Sequence, residues 1–93
     1  MKVTPDIISY EFIGVEGKVA KSQHGDYVGV GGKVTGETRN TFTFLGAGQR
    51  RSVIKESAIF DFEFEDGTIV QIDGKLLVGR TEDRLKKSVK RLW

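Results

Sequence analysis

The side chains able to do chemistry are few and scattered. His24 is the chain's one histidine, and it sits in the polar run Ser22-Gln23-His24-Gly25-Asp26 with no serine nucleophile or further ligand at an engaging spacing. The absence of cysteine removes thiolate nucleophiles, thiolate zinc sites and disulfides, and makes a reducing compartment the expected home. Carboxylates at 61, 63, 65 and 66 could gather a divalent cation. Asp61, Glu63 and Glu65, however, alternate with Phe60, Phe62 and Phe64, so they belong to the solvated face of one strand. Gly29-Val30-Gly31-Gly32 lacks both the Lys-Ser/Thr ending of a phosphate loop and the strand-to-helix setting of a dinucleotide fingerprint. The three phenylalanines could stack on bases. With so few other large residues in the chain, they are assigned to the core. No catalytic set and no metal site emerges.

What remains is charge. The formal charge of +2 is mild, but its distribution is not. Arg80, Arg84, Lys86, Lys87, Lys90 and Arg91 face only Glu82 and Asp83 in residues 80–93, which leaves the preceding chain slightly acidic. Clustered Lys and Arg bind phosphate by releasing counterions, yet lysine-rich surfaces also serve solubility alone. Charge by itself leaves both readings open.

The framework carrying these cations is set by periodicity. Thr4-Pro5-Asp6 is a helix start, with a capping Thr and a Pro suited to the first turn. It predicts a helix over about residues 4–13, ended by Gly14, with Ile8 and Phe12 on one stripe. Alternation with a period of two predicts strands near 15–21, 27–36, 41–45, 51–55, 59–64, 68–72 and 76–78. Turn signals separate them: Arg39-Asn40, where Asn tolerates positive φ, then Gly46-Ala47-Gly48, Asp66-Gly67 and Asp73-Gly74. Short strands at regular spacing indicate an all-β fold, a closed or nearly closed antiparallel barrel of about six strands. Thr81 is the expected N-cap of a basic amphipathic helix over 81–93, with Leu85, Val89 and Leu92 as its apolar stripe.

At 93 residues the chain is expected to form a single domain over 1–93. No apolar run approaches the ~20 residues needed to cross a bilayer. Met1-Lys2-Val3-Thr4-Pro5 lacks the apolar core of a secretory leader, so a cytoplasmic, unprocessed protein is expected.

The stretch Gly36-Glu37-Thr38-Arg39-Asn40-Thr41-Phe42 resembles the signature turn of the archaeal and eukaryotic family of ribonuclease P protein component 1. Further marks occur in that family's order: Glu11-Phe12-Ile13-Gly14, Lys55, Asp73-Gly74 and Arg80-Thr81-Glu82-Asp83-Arg84. The resemblance spans nearly the whole chain. Where the family pattern has proline between the arginine and the acidic pair, this sequence has Thr81, which shifts the expected helix start by a residue. Without the long N-terminal extension of eukaryotic relatives, the sequence resembles a minimal archaeal form, and an archaeal source is expected.

The resemblance implies a twisted Sm-like barrel with helical ends. It implies an RNA-binding, non-catalytic subunit of the ribonucleoprotein that removes the 5′ leader from precursor tRNA. The chain itself then needs no cofactor, and Mg2+ is expected on the RNA of the holoenzyme. Expected partners are ribonuclease P RNA, precursor tRNA through the complex, a zinc-ribbon protein subunit and other protein subunits, with no membrane. Carried over residue by residue, Lys55, Arg80, Arg84 and Lys87 match family positions and are expected RNA contacts, joined by Arg39, Lys86, Lys90 and Arg91. Arg50 and Arg51, beside a glycine turn, add reach. Glu37, Thr38 and Asn40 are expected to shape the turn by bonding backbone. Ile7, Ile8 and Phe12 are expected to dock the protein partner. The competing readings are a ribosomal or translation-associated RNA-binding barrel, and a protein-interaction module whose basic helix meets an acidic partner.

Overall fold

In a computed structural model, every residue except Ser88, Arg91 and Trp93 is described. The alternating segments form β1 (Glu16–Ser22), β2 (Gly31–Glu37), β3 (Thr41–Gly46), β4 (Gln49–Ile54), β5 (Ala58–Glu63) and β6 (Ile69–Asp73). They make one six-stranded sheet in the order β4-β3-β2-β1-β5-β6, with every pair antiparallel. β4 and β6 are its edges and do not pair with each other, so the barrel-like sheet stays open along that seam. The expected barrel class holds; full closure does not.

Inward positions obey the period of two. Phe42 and Phe44 on β3 and Phe60 and Phe62 on β5 are buried, as is Phe64 beyond the strand end. The rings of Phe42 and Phe62 pack with Phe12, the Phe12 and Phe62 centroids lying 4.5 Å apart, and those of Phe42 and Phe60 lie 5.6 Å apart. Gly17, paired with Phe62, makes room for this: a Cβ there would fall 2.9 Å from the Phe62 ring.

A β-bulge interrupts β2 and sets the direction in which Glu37 points. Val34 pairs with Phe44, Gly36 with Thr43 and Glu37 with Phe42, so Thr35 is the extra residue. Directly paired residues share a sheet face, so Val34 and Glu37 both point inward. Uninterrupted alternation would have turned Glu37 to solvent.

The ends of the chain differ from the helices expected of them. The N-terminal helix is a single 3-10 turn, Pro5–Ser9, preceded by Thr4 as N-cap and left by Tyr10 in extended conformation. β-Branched Ile7 and Ile8 disfavour a longer helix, and the extended exit folds Phe12 into the core. The expected strand at 76–78 is instead a 3-10 turn, Gly74–Leu77, started by Asp73, whose carboxylate accepts the Lys75 N–H at 3.0 Å. The C-terminal helix is one turn, α1 (Thr81–Arg84), with Arg80 and not Thr81 at the N-cap. Arg84 occupies the buried side of that turn, which leaves Leu85 65% exposed and dissolves the expected apolar stripe. Val89 and Leu92 still pack on the core, and Leu92 O accepts the Asp73 N–H at 2.6 Å, which ties the chain end to edge strand β6. No helix among the described residues is long and apolar enough to cross a membrane.

Candidate nucleic-acid interface

Three charged side chains meet inside the fold. The bulge aims Glu37 inward at the end of β2, Lys55 comes directly after β4, and Arg84 ends α1. Glu37 Oε2 accepts from Lys55 Nζ at 2.8 Å and from Arg84 Nη1 at 2.5 Å. The side chains of Lys55 and Arg84 are fully buried and that of Glu37 is 5% exposed. Such burial is tolerable only because the remaining donors are also satisfied.

The satisfying groups are mostly backbone carbonyls from distant segments. Lys55 Nζ donates to Thr38 O at 2.8 Å, Arg39 O at 3.2 Å and Gly79 O at 2.9 Å. Arg84 Nη1 donates to Gly79 O at 2.6 Å and Leu77 O at 3.1 Å, and its Nε to Ile8 O at 2.7 Å. The Lys55 ammonium lies 4.6 Å from the Phe42 ring centroid, and the Arg84 guanidinium carbon lies 5.6 Å from that of Phe12. Burial pushes the Lys55 pKa below the ordinary lysine value of 10.5, against the opposing pull of Glu37. The cluster thus joins the β2–β3 turn, the end of β4, the N-terminal 3-10 turn and α1.

This geometry corrects the expected RNA contacts at Lys55 and Arg84. Both side chains are enclosed by the protein's own carbonyls and cannot reach a phosphate. Glu37 is likewise more than a turn residue. Thr81, displaced from the cap, turns its hydroxyl toward Glu37 Oε1 at 3.3 Å and Glu11 Oε2 at 3.4 Å. Sequence reasoning missed the roles of Thr81 and Gly79; the bulge and the one-turn helix leave no periodic signal that would have shown them.

The turn itself closes through Thr38, whose Oγ1 lies 2.7 Å from Thr41 Oγ1 and accepts the Thr41 N–H at 3.1 Å. Asn40 contributes its backbone, with its carbonyl accepting the Lys55 N–H at 2.8 Å, and it does not take the positive φ expected of it. Ile7, Ile8 and Phe12, the expected partner-docking residues, are buried in this chain's own core. They offer no free apolar surface.

The other cations are on the outside. Arg39, Arg80, Lys86, Lys87 and Lys90 are exposed, as are Arg50 and Arg51 on β4. Arg91 lies outside the described residues. Arg39 and Arg80 are brought together: the Gly79 N–H donates to Arg39 O at 2.7 Å, so two cations distant in sequence flank one hydrogen bond. Lys87 Nζ reaches back to Val78 O at 2.8 Å, which holds it near the same segment. Exposed cations carried on a held backbone are suited to phosphate contact. Among the described residues, no three His, Cys, Asp or Glu side chains gather as a metal-binding group.

The chain matches the family model described as "Ribonuclease P/MRP, subunit p29" over residues 5–87. It is 45% identical over 82 residues to ribonuclease P protein component 1 of Pyrococcus furiosus, an alignment covering 88% of this chain and 65% of that protein. To the Methanothermobacter thermautotrophicus protein of the same name it is 40% identical over 91 residues, covering 96% of this chain and 98% of that one. A solved structure of Mth11, described as a homologue of human RNase P protein Rpp29, superposes with a TM-score of 0.60 at 41% identity, covering 81% of this chain and 97% of its own. With residues 5–87 matched by the family model and nearly all its length aligned to relatives at 40% identity, the chain belongs to the ribonuclease P/MRP p29 subunit family.

Proposed function

We propose that this protein is a non-catalytic, RNA-binding subunit of ribonuclease P, contributing to removal of the 5′ leader from precursor tRNA in the cytoplasm. The reading is supported by family membership and by the set of exposed cations. The observation that carries it is the junction of Arg39 and Arg80 across the 2.7 Å hydrogen bond from Gly79 N–H to Arg39 O. Lys86, Lys87 and Lys90, which follow in sequence, are exposed as well. Phosphate contacts of this kind fix the register of a protein on folded RNA and draw affinity from counterion release.

In this reading the chemistry belongs to the RNA, which holds Mg2+, and the protein supports the RNA's fold and its grip on precursor tRNA. A zinc-ribbon protein subunit and other protein subunits complete the assembly. Reconstitution of the relatives' RNA and proteins tests it. Leaving this protein out should lower precursor cleavage and raise the Mg2+ required, and the protein alone should cleave nothing. Unchanged cleavage and Mg2+ requirement without it would refute the reading, and tighter binding to ribosomal RNA in competition would transfer the protein to a different ribonucleoprotein.

A further inference from the structure

We infer that Glu37 is a positioning residue for RNA binding: through Lys55 and Arg84 it sets the spacing of the exposed arginines Arg39 and Arg80. The inference rests on the RNA-binding reading above and goes beyond it, because Glu37 itself is buried and carries the wrong charge for phosphate. Its carboxylate oxygen Oε2 meets both cations, at 2.8 Å from Lys55 Nζ and 2.5 Å from Arg84 Nη1, while Oε1 accepts from Arg84 Nη2 at 3.5 Å. Those cations in turn hold the backbone on which each exposed arginine is carried. Lys55 Nζ donates to the carbonyl of Arg39 itself and to that of Gly79, the residue before Arg80. Arg84 Nη1 donates to the same Gly79 carbonyl. The Gly79 backbone is therefore fixed at both of its peptide groups, its carbonyl by two buried cations and its N–H by Arg39 O.

This arrangement removes a cost that two free arginines would carry. Long flexible side chains on independent loops lose backbone and side-chain freedom on docking, whereas a preset spacing leaves only the side chains to order. A buried ion cluster is not needed for stability as such, since apolar residues of similar volume commonly do as well. Its directional bonds to named carbonyls are what an apolar core would not supply.

The test is a mutant cycle on the full chain, read as affinity for transcribed Methanothermobacter thermautotrophicus ribonuclease P RNA, with the folded fraction measured for every variant. Glu37→Gln keeps the shape and removes the charge. Glu37→Asp keeps the charge balance but retracts the carboxylate, and it serves as the second variant should Glu37→Gln fail to fold. Each is measured alone and combined with Arg39→Ala and Arg80→Ala. A Glu37 substitution is expected to weaken binding by the folded protein roughly tenfold, within the range for linked groups, and to have little further effect once both arginines are gone. A Glu37 effect of equal size in both backgrounds, or no effect on the folded protein, would overturn the inference in favour of a merely structural role. Wild-type protein with no affinity for the RNA would overturn the RNA-binding reading itself, a result the mutant comparison cannot produce.

Discussion

Glu37 and Arg84, 47 residues apart in sequence, meet at 2.5 Å between Oε2 and Nη1, with the guanidinium wholly buried. The contact joins the inward-turned end of β2 to the single turn of α1, and Lys55 completes it from the end of β4. Removing one member leaves the others charged, enclosed and short of a partner. Arg84→Ala should therefore destabilise the fold by about 3–5 kcal/mol. Lys87→Ala, on the exposed surface, should stay within about 0.5 kcal/mol of wild type. Urea titration of both variants checks this, and equal midpoints would show that the cluster contributes nothing.

Phe62 lies at the centre of the aromatic core, fully buried and packed between Phe12 and Phe60. Phe62→Ala should cost about 3–5 kcal/mol through lost burial and the cavity left behind. Thermal and urea denaturation measure it. A stable variant that had lost RNA affinity would instead place this ring among the binding residues.

Gly74 opens the 3-10 turn directly after β6, packed against the segment that links β4 to β5. A Cβ there would lie 1.9 Å from Lys55 O and 2.7 Å from Ala58 O, both backbone. Neither can move cheaply, so Gly74→Ala should cost roughly 1–3 kcal/mol as an overpacked site. The same denaturation experiment reads it.

The all-β class and six strands are legible in the sequence because Phe42, Phe44, Phe60 and Phe62 alternate cleanly with polar residues. The candidate site is legible only in part. Arg39, Arg80, Lys86, Lys87 and Lys90 are exposed as their types lead one to expect. Glu37, Lys55 and Arg84 are not, because the bulge at Thr35 reverses the alternation that would predict the orientation of Glu37. Arg84 is hidden for a related reason: a helix over 81–93 places it off the stripe of Leu85, Val89 and Leu92, whereas a single turn ending at Arg84 lets that side chain point inward. Ile7, Ile8 and Phe12 carry an apolar stripe whose destination, this core or a partner's, periodicity cannot distinguish.

Lys55 also gives the stability a pH dependence. Its folded-state pKa lies below 10.5, chiefly from burial, so between the two values the unfolded chain holds more protons at this position than the folded one. Stability contributed by this residue is then constant at lower pH and rises with pH through that window. Lys55→Met lacks the effect. The stability difference between wild type and Lys55→Met should therefore shift in favour of wild type as pH climbs toward 10.5, measured by urea midpoints at each pH. A difference that moved the other way would mean that the pairing with Glu37 outweighs burial.

The role of the paired exposed arginines is tested most directly by the salt dependence of ribonuclease P RNA binding, compared between wild type and the Arg39→Ala/Arg80→Ala double variant. Each phosphate neutralised contributes about 0.7 to 0.9 to the slope of log affinity against log salt. The double variant should keep its urea midpoint, bind more weakly and have a slope shallower by roughly 1 to 2. An unchanged affinity and slope in a folded double variant would contradict that role.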